Sequence, residues 1–398
     1  MKERIAIVVN TLSGGGAEMT AANLSRKLSE RYAVDIIVND DAHLQYLHSG
    51  RVISLGMPVN QNRMDTVYQA KALIRRSRLL MKLKKERQYK AVLSFSEMTN
   101  LANVLSGGKA IISVHNSIRN SCANGWKHRA ATKIILPYCL RKAYRTVPCS
   151  REIADELINR YGLCKDRGYV IYNGVDLEKI KENTGMSLTK PICLDGEKLV
   201  VTAGRLIWEK GQWHLIRAIK ELRTHNIPVK LLILGEGTKR TLLEELVAEA
   251  GLEGNVLLPG FVQNPHQYIA AADVVVFPSL TEGFSNAIVE ALACGAPVVS
   301  TDHETGAREI LAPNSDFHIK TKDTIEKAEY GILIPVCDGK VRHCNEPSSK
   351  EEKMMAEAIH RVISDHELAS HYRKAALRRA EQLRIETAAE EWIRLIEG

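Results

Sequence analysis

Residues 274–294 read VVVFPSLTEGFSNAIVEALAC. Val274–Phe277 is a short run rich in β-branched residues, as expected of a strand buried on both faces. A loop follows, and the spacing beyond it predicts a helix over 284–294. The first turn of that helix leaves backbone N–H groups free near Phe284, Ser285 and Asn286, a natural anion site. Glu290 lies four residues beyond Asn286, hence on the same face and ~6 Å further along the axis. A carboxylate there can accept two hydrogen bonds from a vicinal diol such as a ribose. Glu282, in the loop, would point at whatever the phosphate carries. The plain alternative makes Glu290 a surface residue. Its neighbours Ile288, Val289, Ala291 and Leu292 are apolar, however, and a carboxylate among them needs a partner.

Outward from this element the strand–helix alternation continues. Apolar runs at 199–203, 229–234, 256–258, 273–277 and 298–300 alternate with helical patterns at 212–225, 238–250 and 284–294. An earlier array has runs at 4–10, 34–38, 91–95, 110–115, 145–148 and 169–171, with helices at 17–30 and after Ser150, a plausible N-cap. Such alternation implies α/β domains with parallel sheets covered on both faces. The polar stretch 178–197 reads as the linker between them, and 350–398 as a helical tail. Two doubly wound domains in tandem leave a cleft between their loops, and ligands sit at the carboxyl ends of strands.

Three further motifs end strands. Arg205 and Lys210, in AGRLIWEKG at 203–211, are two cations able to neutralise a leaving diphosphate. No Asp-x-Asp occurs in the chain, so the usual ligand pair for a divalent metal is missing and no metal site is expected. Gly14, Gly15 and Gly16 follow the first strand; Met19 stands where a dinucleotide fingerprint needs glycine, but small residues still let a ligand approach the backbone. His115 stands where an apolar strand gives way to a polar loop.

Together Glu282–x7–Glu290, the stretch 204–211, Asn173-Gly174-Val175-Asp176 and Gly15-Gly16-Ala17-Glu18 resemble a family 4 retaining glycosyltransferase of GT-B fold. The resemblance implies two Rossmann-like domains facing across a cleft, over 1–178 and 179–380, with a helix at 381–398 crossing back to the first. It implies transfer of a hexose or N-acetylhexosamine from a nucleotide diphosphate sugar, a UDP-sugar in our reading, with retention of configuration and no cofactor. Arg205 and Lys210 would bind the diphosphate, Glu290 the ribose and Glu282 the sugar hydroxyls, with backbone at Gly283, Phe284, Ser285 and Asn286 around phosphate and sugar. Phe261 and Val262 resemble the base-binding segment. Gly15 and Gly16 would approach the donor from the other domain, and His115 would contact the sugar near the reaction centre. Residues 312–329 depart from the family pattern as an insertion, and the resemblance gives them no role.

The 398 residues are 45% hydrophobic and 26% charged, ordinary values that exclude a disordered chain or a fibre. No run approaches the ~20 apolar residues of a membrane span, and no signal peptide is read. Eight irregularly spaced cysteines suit a reducing cytosol. The net charge of +8 points to an anionic partner. It concentrates at 71–90, with nine cations against Glu86, and at 98–151, where no acid occurs. Sparse aromatics there argue against nucleic acid. Either these cations rest on anionic lipid, or Leu73, Leu79, Leu80 and Leu83 pack on the sheet and the charges are solvated. The first reading places the protein at the cytoplasmic face of a bacterial membrane, with a lipid-linked saccharide as acceptor in surface-glycan synthesis. A transferase with a soluble acceptor, a nucleotide-sugar epimerase of the same fold and a non-catalytic binding protein are the alternatives.

Overall fold

A computed structural model describes residues 2–42, 44–57, 66–116, 125–186, 192–193 and 196–398. The chain divides into two compact units, 1–174 with 384–398, and 175–383. Unit 1 contains β1 (Arg4–Val8), α1 (Gly16–Leu28), β2 (Ala33–Val38), β3 (Arg51–Ser54), α2 (Thr66–Arg87), β4 (Ala91–Ser94), α3 (Glu97–Leu105), β5 (Ala110–Val114), α4 (Gly125–Lys142), β6 (Arg145–Pro148) and α5 (Arg151–Tyr161). Unit 2 contains α6 (Leu177–Thr184), β7 (Lys198–Ala203), α7 (Gln212–Thr224), β8 (Val229–Leu234), α8 (Arg240–Ala250), β9 (Val256–Gly260), α9 (His266–Ala271), β10 (Val274–Phe277), α10 (Asn286–Ala293), β11 (Val298–Thr301), α11 (Ala307–Leu311), β12 (Glu326–Lys327), β13 (Ile332–Ile334), α12 (Lys350–Ser364) and α13 (His366–Gln382). The last helix, α14 (Ile385–Glu397), belongs to unit 1.

The sheet of unit 1 is parallel, in the order β3-β2-β1-β4-β5-β6. That of unit 2 runs β12-β13-β11-β10-β7-β8-β9, parallel except for β12 at its edge. Each is a Rossmann-like sheet whose order reverses beside its first strand, and ligands bind such sheets at that switch point. In unit 2 the switch lies between β7 and β10. Those strands carry the Arg205–Lys210 loop and the 278–285 loop at their carboxyl ends. The core of unit 2 joins Val200, Ile233, Val274 and Val299 to Trp213 of α7 and Met355 and Ile359 of α12. In unit 1, Trp392 and Ile396 of α14 pack with Ile5, Leu24 and Phe95.

Several expectations change. The units divide at 174/175 and 383/384, not at 178/179 and 380/381. The polar stretch 178–197 is not simply a linker: it includes most of α6, which packs on α9 and α10. Its polarity is that of a surface helix, N-capped by Asp176, whose carboxylate accepts from the Lys179 N–H at 3.0 Å, with Ile180 turned inward. Residues 187–191 and 194–195 of that stretch lie outside the described residues. Gly174 is glycine because a Cβ would lie 2.5 Å from Ile385 Cα, where the chain re-enters unit 1. Residues 169–171 run beside β6 with two backbone bonds, Tyr169 N to Thr146 O and Ile171 N to Pro148 O, but form no strand. The helix expected from 284 starts at Asn286, because Ser285 has non-helical φ −75° and ψ 88°. The tail 350–398 is three helices, two of them in unit 2.

The basic helix α2 has two sides. Leu73, Leu79, Leu80 and Leu83 pack on the sheet core, as the plainer reading expected. Two cations also turn inward: Arg76 is buried, and Lys84 donates to Asn103 O at 2.9 Å and Oδ1 at 2.8 Å, burial pushing its pKa down to about 8. The outer side keeps Lys71, Arg75, Arg78, Lys82 and Lys85 around exposed Ile74 and Met81. Of the acid-free stretch, Arg119 lies outside the described residues, as do the side chains of Lys127 and Arg129. Among the described residues no helix is long and apolar enough to cross a membrane.

Candidate active site

The loop after β7 is shaped by close backbone approach. Gly235, at φ 140°, has no room for a side chain: a Cβ would run into the Gly204 carbonyl. Its N–H donates to Gly260 O at 3.0 Å, so the segments leading to Arg205 and to Phe261 are tied through one glycine. Gln212 Nε2 holds the Arg205 carbonyl at 3.0 Å. The Arg205 side chain is exposed and has no ion-pair partner among the described residues. Phe261 is 78% exposed and Val262 half-buried.

A 3-10 turn, Trp208–Lys210, then delivers Lys210, and Gly211 follows it in the left-handed region at φ 60°. A Cβ at Gly211 would sit 2.5 Å from Pro278 O, and Leu280 N donates to Glu209 O at 2.8 Å. These contacts lock the loops after β7 and β10 together. Their product is an ion pair between Lys210 Nζ and Glu282 Oε1, to which Ser279 Oγ also donates at 2.8 Å. Burial alone would raise the Glu282 carboxyl. The Lys210 charge, His303 and the bonds from Lys210 and Ser279 outweigh it and hold the group below the usual range. Glu282 is therefore an ionised, oriented acceptor at neutral pH.

Beyond it, Gly283, Phe284 and Ser285 are buried, and Gly306 from the loop after β11 packs on them, 3.1 Å from a would-be Cβ to Phe284 Cα. Ser285 N-caps α10 without a side-chain hydrogen bond, and its buried Oγ has no partner. Asn286 opens the helix. Glu290 lies one turn on, with His266 Nε2 3.9 Å from its Oε2.

In unit 1, Gly15 N-caps α1 and Gly16 begins it, at the end of the loop that follows β1. A Cβ on Gly15 would meet the Glu18 carboxylate. His115 follows β5. Its Nε2 is 2.9 Å from Ser113 Oγ, and its ring stacks on Phe95 at 5.5 Å, which in turn meets Trp392 of α14 at 5.7 Å. Burial pushes its pKa down to about 4, so the imidazole is neutral. In the sheet β4 stands between β1 and β5, so these residues occupy separate strand ends.

Residues 14–179 match the family model described as Glycosyltransferase Family 4, and residues 190–343 match Glycosyl transferases group 1. An uncharacterized glycosyltransferase of Methanocaldococcus jannaschii is 32% identical over 289 residues, 71% of each chain. The chain is a family 4 glycosyltransferase. A second relative, the N-acetylgalactosamine-N,N'-diacetylbacillosaminyl-diphospho-undecaprenol 4-alpha-N-acetylgalactosaminyltransferase of Campylobacter jejuni, is 27% identical over 385 residues, 95% of each chain. The crystal structure of Anabaena HepE in complex with UDP and glucose shares the fold, with TM-score 0.73 at 19% identity over 99% of both chains.

In this transferase the structure brings Arg205, Lys210, Glu282, Gly283, Phe284, Ser285, Asn286 and Glu290 to one switch point. It also adds residues the sequence reading missed. Asp302 and His303 follow β11, which pairs with β10, so they stand beside the Glu282 loop. His303 is buried, with neither ring nitrogen hydrogen-bonded, and burial above all pushes its pKa down to about 4. The insertion 312–329 fastens this segment. Arg308 Nη2 bonds Asp302 Oδ2 and Glu326 Oε2, both at 2.6 Å, Thr321 N donates to Asp302 Oδ2 at 2.8 Å, and Lys320 Nζ lies 3.8 Å from Asp302 Oδ1. A polar Asp-His pair at a strand end was a visible signal. That this strand is the neighbour of β10 was not.

Proposed function

We propose that this hexosyltransferase moves a hexose or N-acetylhexosamine from a UDP-sugar to a lipid-linked saccharide in bacterial surface-glycan synthesis, with retention of configuration and without a metal. The observation carrying the reading is the Lys210–Glu282 pair at the β7/β10 switch point, beside exposed Arg205 and the start of α10. An incoming diphosphate competes for Lys210, and the sugar it carries meets the ionised Glu282. As the glycosidic bond breaks, negative charge grows on the leaving phosphate, where Arg205 and Lys210 stabilise it. The acceptor hydroxyl attacks from the same face and gives its proton to the leaving phosphate oxygen. Phe261 and Val262 hold the base. The acceptor assignment is supported by the Campylobacter relative, whose name specifies an undecaprenol-linked saccharide.

The test incubates the protein with UDP-sugars and an undecaprenyl-diphosphate saccharide in EDTA and follows the anomeric signal of the product by NMR. Transfer with an inverted signal, or strict dependence on added manganese, would overturn the reading. An altered UDP-sugar appearing without acceptor would establish the epimerase instead.

Glu290→Gln is expected to raise the donor KM about tenfold with kcat little changed, since one charge-assisted hydrogen bond contributes ~1.5–3 kcal/mol. Glu282→Gln is expected to lower kcat or alter which sugar is transferred. Steady-state kinetics across a donor panel checks both, and equal effects of the two variants on KM would contradict the assignment.

The outer side of α2 fits peripheral contact with the cytoplasmic leaflet. Lys71, Arg75, Arg78, Lys82 and Lys85 surround Ile74 and Met81, and each cation near anionic lipid contributes ~1 kcal/mol. Sedimentation with anionic vesicles should be strong at low salt, reversed by high salt and weakened by charge reversal at Arg75 and Arg78. Binding equal to that of neutral vesicles would favour a soluble acceptor.

A further inference from the structure

His266, at the start of α9, stands between α6 and α10. Asn183, in the last turn of α6, directs Nδ2 to His266 Nδ1 at 3.0 Å, and its own carbonyl accepts from Asn264 Nδ2 at 2.9 Å. An amide nitrogen only donates, so His266 Nδ1 accepts and the ring proton resides on Nε2. That Nε2–H is buried without a hydrogen-bond partner. The carboxylate it faces is Glu290, Oε2 at 3.9 Å, and both side chains are largely buried at 14% and 18% exposure. A buried N–H without an acceptor is costly, which favours approach of the Glu290 carboxylate from its 3.9 Å separation.

We propose that His266 is a positioning residue for nucleotide recognition, its Nε2–H closing on one Glu290 oxygen so that the other is presented to the ribose hydroxyls. The inference rests on the ribose reading of Glu290. The carboxyl torsion of a glutamate is broad and roughly two-fold, so an unheld Glu290 would have to be ordered by the ligand at a cost in affinity. Asn183 sets the tautomer, His266 transmits it, and α6 thereby gains a function beyond packing on α9 and α10.

Glutamine and asparagine separate the two ring nitrogens, since a glutamine amide reaches the place of Nε2 and an asparagine amide that of Nδ1. Titration calorimetry with UDP and 2′-deoxyuridine diphosphate reads the ribose contact directly. The intact protein should prefer UDP by ~10-fold, the loss expected for one hydrogen bond to a charged group. Glu290→Gln should abolish the preference. His266→Gln should keep it within about threefold and His266→Asn reduce it towards unity, as a contact is kept or lost, with affinity for the deoxy nucleotide unchanged. A merely structural role would weaken both nucleotides alike. If His266→Asn keeps the preference that Glu290→Gln loses, or if His266→Gln loses it, the proposal is overturned while the ribose reading stands. If Glu290→Gln keeps the preference, the ribose reading fails and this inference with it.

Discussion

Lys210→Ala is expected to lower kcat by about 10²–10³-fold, with a much smaller change in donor KM. Losing one preorganised donor to a developing oxyanion costs about 3–4 kcal/mol, and it does so mainly in the transition state. A second effect follows from the pairing. Glu282 stays ionised because Lys210, His303 and Ser279 outweigh its burial. Without Lys210 the burial contribution gains ground and the carboxyl pKa rises. The variant's residual rate should therefore climb with pH across a range where the intact enzyme is flat. Single-turnover rates between pH 5 and 8 check both parts, and a variant within threefold of the intact enzyme would refute the role. Arg205→Ala should act in the same direction without the pH effect, since Arg205 has no contact with Glu282 among the described residues.

The largest loss of stability is expected from Glu352→Ala, about 3–5 kcal/mol, because it leaves a buried charge unpaired. Glu352 is fully buried on α12, where its carboxylate accepts from His214 Nδ1 at 2.8 Å, from Arg217 Nε at 3.0 Å and from Ser349 N at 2.8 Å. Burial opposes its ionisation, but His214, Ser349 and Arg217 hold its pKa below the usual range. Its contribution is thus complete above the unfolded value of about 4.3 and lost as pH falls through the lower folded value. Arg217 also bonds the carbonyls of His343, Glu346 and Pro347, so the same change frees that segment. The segment is tied at Lys340 O by Trp213 Nε1 at 3.2 Å, and Gly339 packs on Trp208, two residues from Lys210. Denaturant unfolding followed by tryptophan fluorescence measures the effect. A shift below 1 kcal/mol would mean the cluster is not the brace described. Glu352→Gln keeps the shape and should cost less.

The sequence alone determined what is local. Runs such as 274–277 and 199–203 can only be strands, because β-branched residues bounded by polar loops fit a doubly covered parallel sheet. Ser150 predicted its helix by capping chemistry, and its Oγ indeed accepts from Ile153 N at 3.2 Å. The same reading put Arg205, Lys210 and Glu282 in loops at strand ends, where ligands bind, and Glu290 on the helix that follows.

Tertiary structure decided which strand ends meet. Lys210 and Glu282 are 72 residues apart in sequence and bonded because β7 pairs with β10. His303 joins them because β11 pairs with β10 on the other side. Periodicity marks where a strand stops, but it carries no information on strand order, which depends on how whole faces pack. The same limit explains Arg76 and Lys84, counted with the outward cations of a basic helix yet turned towards the protein. It also explains α6, whose polar composition suits a linker and a surface helix equally. Only its packing against α9 and α10 makes Asn183 the residue that sets the His266 tautomer. Composition and spacing fix what each segment can be; the contacts that give a polar side chain its task come from elements distant in the chain, and those exist only once the sheet order is set.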